Sequence, residues 1–295
     1  MSIKTVAILS PGDMGHAVGR ALGKHGLRVI TCLTRRSQRT AGLAQQAGIE
    51  DVPTLEEVVR QADLVMSILV PAQASDLARQ VAEALKSTDA DTLFADCNAV
   101  SPKTTRDIGD TISSAGGRFI DAGIVGGPPS DTESPRIYVS GPHAELMAEL
   151  DGKGIQVRPI GGDVGRASGL KMCYAAMTKG TSALQLAILT TAERLGLTGE
   201  LCAEWEGSQA EALKRMNAQV PRLPVTARRW TGEMEEIAAT FEQVGVTPHF
   251  HLGAAEMYRL LGLTSMADET PETLDRNRTR EQTVATLAEA IGEAS

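Results

Sequence analysis

The stretch VAILSPGDMGHAVGRALGKHG, residues 6–26, decides how the chain is read. Val6 to Leu9 form a short apolar run of strand type. Gly12 and Gly15 make a glycine turn, and an alanine-bearing helix with Gly19 on its inner side follows. Strand, glycine turn and helix in that order open a dinucleotide-binding domain. The glycines let backbone N–H groups approach a pyrophosphate, and the helix N-terminus adds partial positive charge. The match to G-x-G-x-x-G is incomplete, because Ser10 stands at the first glycine. Pro11 has no N–H, so the donors begin at Gly12. Asp13 and Met14 complete the turn, with Asp13 read as capping the helix and pointing to solvent. An ordinary strand-to-helix turn without a ligand is the plainer alternative.

The chain has 295 residues, more than one typical compact domain, so two are expected. Hydrophobic residues make up 42%, enough for a core, but aromatics only 3%, so packing falls to aliphatics, Ala and Met. The net charge of −8 argues against a nucleic-acid backbone as partner. Cys32, Cys97, Cys173 and Cys202 lie far apart, which suits free thiols in a reducing cytosol. There is no bilayer-spanning apolar run and no signal-peptide pattern, so a cytoplasmic protein without membrane partners is expected.

Strands and helices alternate at first. Strands are expected at residues 5–9, 28–33, 64–69, 92–96, 118–120, 136–140 and 156–160. Helices are expected after Gly12 and at 39–46, 54–61, 72–85, 102–114 and 144–150. That order makes a parallel sheet covered on both faces, a Rossmann domain over residues 1–163. The character then changes. Residues 165–195 read as one long Ala-, Leu- and Met-rich helix. Further helices are expected at 208–217, 232–243, 252–261 and 280–291, with a polar loop at 264–279. Residues 164–295 therefore read as an all-α domain for substrate binding and dimerisation, begun by the long interdomain helix.

The second strand runs out into LTRRSQRT, residues 33–40. In a dinucleotide fold this end lies beside the adenosine ribose. An acid here selects NAD; Arg35, Arg36, Ser37 and Arg39 instead suit the 2′-phosphate of NADP. A solvated basic turn is the other reading of the same residues.

Taken together, the motifs resemble the β-hydroxyacid dehydrogenase superfamily, which includes 3-hydroxyisobutyrate and 6-phosphogluconate dehydrogenases. Gly12, Met14 and Gly15 match that family's G-x-G-x-M-G. Ser67–Pro71, with Leu69 and Val70, resembles the segment that lies along the cofactor. DCNAVSP (Asp96–Pro102) resembles its D-x-S-T-x-S-P loop, with Asn98 at a serine position. FIDAGIVGG (Phe119–Gly127) resembles the substrate loop D-A-P-V-S-G-G. GRASGLKMCY (Gly165–Tyr174) resembles the segment that carries the catalytic lysine. The run RRWTGEMEEIAATFEQVGVTPHFHLGAAEMY, residues 228–258, resembles a C-terminal domain of phosphogluconate-dehydrogenase-like proteins.

The resemblance makes Lys171 the proton-transfer group at the substrate oxygen while hydride moves at the nicotinamide. Burial near a cationic ring would lower a lysine's pKa toward the working range; a helix lysine reaching out to solvent is the bland reading. Lys179 is read as structural. Asn98 is expected to orient substrate or cofactor, and Tyr174 to donate to the substrate and act beside Lys171. Val125 replaces the loop serine and Gly123 its proline, leaving the backbone N–H groups of Gly126 and Gly127 to hold an oxygen anion. His249 and His251 lack supporting ligands, so no metal is expected. Arg228, Arg229 and Trp230 read as a solvated helix start.

The expected protein is an NADP-preferring oxidoreductase interconverting a small hydroxy acid and its oxo acid. The resemblance implies a homodimer in which one subunit's long helix completes the other's pocket. Two alternatives remain: an imine reductase of the same architecture, and a non-catalytic dinucleotide-binding sensor or scaffold.

Overall fold

The structure, a computed structural model, describes residues 2–293. The chain divides into two compact units, Met1–Met172 and Cys173–Ser295. The division falls within the long helix, later than residue 163.

The first unit holds eight strands in one sheet: β1 (Thr5–Leu9), β2 (Arg28–Thr31), β3 (Glu50–Asp51), β4 (Leu64–Ser67), β5 (Leu93–Asp96), β6 (Arg118–Val125), β7 (Arg136–Ser140) and β8 (Gln156–Pro159). Their order is β3-β2-β1-β4-β5-β6-β7-β8. The connecting helices are α1 (Asp13–Lys24), α2 (Gln38–Gln46), α3 (Leu55–Gln61), α4 (Pro71–Thr88) and α5 (Pro102–Ser113), and α6 (Arg166–Arg194) follows the sheet. The first six strands are parallel and have the doubly wound order that places a ligand crevice where the strand order reverses, between β1 and β4.

The sequence of the central strands follows from burial on both faces. Val6 and Ile8 enter one core cluster, Ala7 and Leu9 the other; Leu64 and Met66 oppose Val65 in the same way. Each Val, Ile, Leu or Met among them contributes about 1.5–3 kcal/mol when fully buried, and with both faces covered the strands read as continuous apolar runs.

Three expectations need correction, and one strand, β3, was not expected at all. Strand β3 is only two exposed polar residues, too short to show alternation. Strand β6 continues to Val125 rather than ending at Ile120 because β7 pairs with it, and that pairing is antiparallel, so the sheet is mixed. Residues 144–150 form a 3-10 helix. Arg228, Arg229 and Trp230 are not a helix start, as the second unit shows.

In that unit α7 (Thr198–Ser208), α8 (Ala210–Gln219), α9 (Pro224–Gln243), α10 (His249–Gly262) and α11 (Arg280–Glu293) follow the rest of α6. Helix α9 begins at Pro224, where a proline costs no hydrogen bond, so the three residues lie inside it. Arg228 donates to the Gly262 carbonyl at 3.0 Å and pairs with Asp268 at 2.7 Å; Arg229 pairs with Glu233 at 3.0 Å. Trp230 meets Tyr258 edge-on at 5.3 Å. Buried Lys179 pairs with Glu233 and lies 5.3 Å over the Trp230 ring, while Tyr258 Oη donates to its carbonyl at 2.7 Å. His251 is buried edge-on to Phe241, and burial pushes its pKa down; His249 is exposed. Among the described residues, no three His, Cys, Asp or Glu side chains gather as metal ligands.

Helix α6 approaches β6 closely at Gly123. A Cβ there would lie 2.9 Å from both the Ala167 carbonyl oxygen and Lys171 Cβ, so helix or strand would have to move. Gly123→Ala is expected to cost about 1–3 kcal/mol by overpacking. Gly12→Ala meets nothing within 4 Å and has an ordinary negative φ, so it serves as the neutral control. Urea denaturation of the two variants checks this, and equal stability would refute the close-approach argument.

Candidate active site

Two helices start at the crevice between β1 and β4, and they differ from their neighbours. Helices α2, α3 and α5 are capped by Ser37, Thr54 and Ser101, whose hydroxyls accept from the N–H groups of Thr40, Glu57 and Thr104. Helix α1 starts at Gly12 and α4 at Val70, neither with a side-chain cap. A helix start leaves N–H groups unpaired. At α1 the Gly12 N–H is already given to the Ser10 carbonyl oxygen at 2.8 Å, so the donors begin at Asp13 and not at Gly12 as expected; the positive end of the helix and the space over the Gly12 Cα remain for a ligand. Gly15 permits the turn itself, since any Cβ would collide with the Ser10 carbonyl oxygen. The residues present thus fit a pyrophosphate.

Met14 is half-buried against the core. Asp13 does not cap α1. Its carboxylate pairs with Arg39 at 2.5 Å, across to the first turn of α2. At the end of β2, Arg35 adopts a left-handed conformation (φ 63°) and is exposed, and Arg36 is half-buried. Neither has an ion-pair partner among the described residues. The residues expected at the ribose therefore split: Arg35 and Arg36 stand open, Arg39 is held by Asp13, and Ser37 is used as the cap of α2.

Leu69, Val70 and Pro71 form the half-buried turn from β4 into α4. Asn98 is buried and its amide is engaged within the protein. Its Oδ1 accepts from Leu69 N–H at 2.7 Å, and its Nδ2 donates to Ser67 Oγ at 2.8 Å and to Asp96 Oδ1. It ties the ends of β4 and β5 together. Beside it Cys97 is sealed in; burial, then the charges of Asp96 and Asp121, push its thiol pKa far up.

Lys171, half-buried on α6, donates from Nζ to the Ile124 carbonyl near the end of β6. Val125 is buried, while Gly126 (φ 115°) and Gly127 are exposed just beyond it. Tyr174 lies one turn beyond Lys171 on α6 and is 43% exposed. The structure thus brings Lys171 to the strand end that Gly126 and Gly127 continue, whereas the Val125 side chain is buried.

Sequence reasoning missed Asp121. Its carboxylate is buried in β6 and takes the first turn of α6. Oδ2 accepts from Gly165 N–H at 2.8 Å, Ala167 N–H at 3.0 Å and Ser140 Oγ at 2.7 Å, and Oδ1 accepts from Ser168 Oγ at 2.6 Å. Thr105 Oγ1 completes the set at 2.7 Å from Ser168 Oγ. The signal was present: an acid inside an otherwise apolar strand needs partners to be buried at all.

The family described as the NAD binding domain of 6-phosphogluconate dehydrogenase matches residues 5–150, and a domain of unknown function, DUF1932, matches residues 192–261. An uncharacterized 28.5 kDa protein of Methanothermus fervidus is 30% identical over 178 residues, 60% of this chain and 67% of that one. Among solved structures, the conserved protein MTH1747, itself similar in structure to 3-hydroxyacid dehydrogenases, is 28% identical with a TM-score of 0.62, over 88% of this chain and 98% of that one. The fold is also that of a 3-hydroxyisobutyrate dehydrogenase from Mycobacterium tuberculosis (18% identical, TM-score 0.64, 97% and 99% covered). An imine reductase from Bacillus cereus shares it too (18% identical, TM-score 0.55, 92% and 97% covered). The glycine turn, the two uncapped helix starts and these relatives agree: the chain belongs to the β-hydroxyacid dehydrogenase superfamily of NAD(P)-dependent oxidoreductases.

Proposed function

We propose that the protein is an NADP-preferring oxidoreductase that interconverts a small hydroxy acid and its oxo acid, with Lys171 as the acid/base. The observation that carries this is the Lys171 ammonium donating to the Ile124 carbonyl, beside the exposed backbone of Gly126 and Gly127. A substrate oxygen at that strand end takes a proton from Nζ during reduction and returns it during oxidation. The Gly126 and Gly127 N–H groups hold the carboxylate, and Tyr174 adds a hydroxyl donor. Hydride is supplied or accepted by the nicotinamide when the cofactor is bound. Gly12, Asp13, Met14, Gly15 and the Leu69–Pro71 turn bound the cofactor crevice, with Asn98 holding that turn in place.

The preference for NADP rests on Arg35 and Arg36, two guanidinium groups without carboxylate partners where the adenosine ribose lies in this fold. A homodimer is supported by α6. Tyr174, Met177, Leu184, Ile188 and Leu195 are exposed and fall on one face of that helix. Such a stripe is an unusual thing to leave in water.

Lys171→Ala is expected to bind NADPH normally in a fluorescence titration and to lose about 100-fold or more in kcat. Near-normal turnover by this variant removes the assignment. A panel of short hydroxy acids and cyclic imines, followed by NADPH absorbance, separates dehydrogenase from imine reductase; tight NADPH binding with no turnover on either set indicates a sensor. Replacing Arg35 and Arg36 by Ala is expected to weaken NADPH binding by about 10–100-fold, the worth of a charge-assisted contact, and to leave NADH unaffected. Light scattering is expected to give the mass of a dimer, and a monomer at all concentrations counts against the α6 interface.

A further inference from the structure

Asp121 and Ile124 lie three residues apart on β6, and Ala167 and Lys171 lie four apart on α6. The two elements are fastened at both pairs. At one end the Asp121 carboxylate accepts from the N–H groups of Gly165, Ala167 and Ser168. At the other, Lys171 Nζ reaches the Ile124 carbonyl. Between them Gly123 lets strand and helix approach more closely than a Cβ would allow.

The carboxylate is completely buried, and hydroxyls close the network around it. Ser140 Oγ donates to Oδ2 and accepts from Ala167 N–H at 3.0 Å, and Ser168 Oγ donates to Oδ1. A negative group at the start of a helix also complements its dipole. No other side chain in these contacts carries a charge, so Asp121 is the anchor and the hydroxyls hold it in place.

We propose that Asp121 is the positioning residue for Lys171: by fixing the first turn of α6 to β6 it sets where the ammonium stands over the end of the strand. This rests on the reading of Lys171 as acid/base. Asp121 touches neither substrate nor cofactor in this role. It acts through the helix, and its effect on the reaction passes through Lys171 alone.

The test is a double-mutant cycle on NADPH-dependent reduction of the short oxo acid that the wild type turns over fastest. Asp121→Asn keeps the shape and one acceptor oxygen but loses the second acceptor and the charge. It is expected to lower kcat by about 10–100-fold, since a misplacement of about 1 Å costs that much, with the KM for NADPH unchanged. In the Lys171→Ala background the same change is expected to cost nothing more. A purely structural role lowers kcat by the same factor in both backgrounds, and that result, or full kcat in Asp121→Asn, overturns the proposal. Wild-type turnover by Lys171→Ala alone identifies the acid/base reading as what failed.

Amide hydrogen exchange adds an arm that needs no substrate and decides the matter where no oxo acid is turned over. Protection at residues 165–171 is expected to fall in Asp121→Asn while the other helices keep theirs; unchanged protection overturns the anchoring. Where Asp121→Asn fails to fold, Ser140→Ala and Ser168→Ala, which keep the carboxylate, go through the same cycle and exchange measurement with smaller losses expected. No loss in either measurement overturns the proposal.

Discussion

A carboxylate buried in a strand is tolerable only when its charge is answered by donors on every side. Asp121 meets that condition with backbone N–H groups at the start of α6 and with the hydroxyls of Ser140 and Ser168. Three elements thereby share one anion: β6 contributes it, β7 and α6 supply the donors. The antiparallel pair β6–β7, which makes the sheet mixed, is bound into the same network as the helix that carries Lys171. Gly123 is the steric half of the same constraint, since donors and carboxylate meet only if the backbones do.

The helix starts of the first unit divide by use. Where a helix merely returns the chain, as in α2, α3 and α5, a Ser or Thr hydroxyl pairs the open N–H groups and the terminus is closed. Where α1 and α4 flank the reversal of strand order, glycine and valine supply no side-chain cap. A hydroxyl at either place would help the helix and compete with the ligand.

Much of this was legible in the sequence. The glycine turn, the apolar runs of β1 and β4, and the long Ala-rich α6 are signals made by burial on both faces and by backbone freedom, and both leave marks on residue type. What stayed hidden were matters of partnership. Asn98 has side-chain atoms equally suited to ligand or protein, and only its contacts with Leu69, Ser67 and Asp96 tell which. Arg39 looked like its neighbours Arg35 and Arg36 until Asp13, far away in sequence, was found against it. Strand β3 is two polar residues on a sheet edge, with no pattern to detect. The start of α9 was hidden by Pro224, which in the first turn marks a beginning and elsewhere a break.

The Asp13–Arg39 pair changes what an arriving anion meets at that corner. Its guanidinium is already paired, so an anion binding there would exchange one negative partner for another. Such a swap releases fewer counterions than capture by a free cation. Anion binding at that corner would then be less sensitive to ionic strength than a count of its arginines suggests, and a displaced Asp13 would add a repulsion for the remaining cations to outweigh.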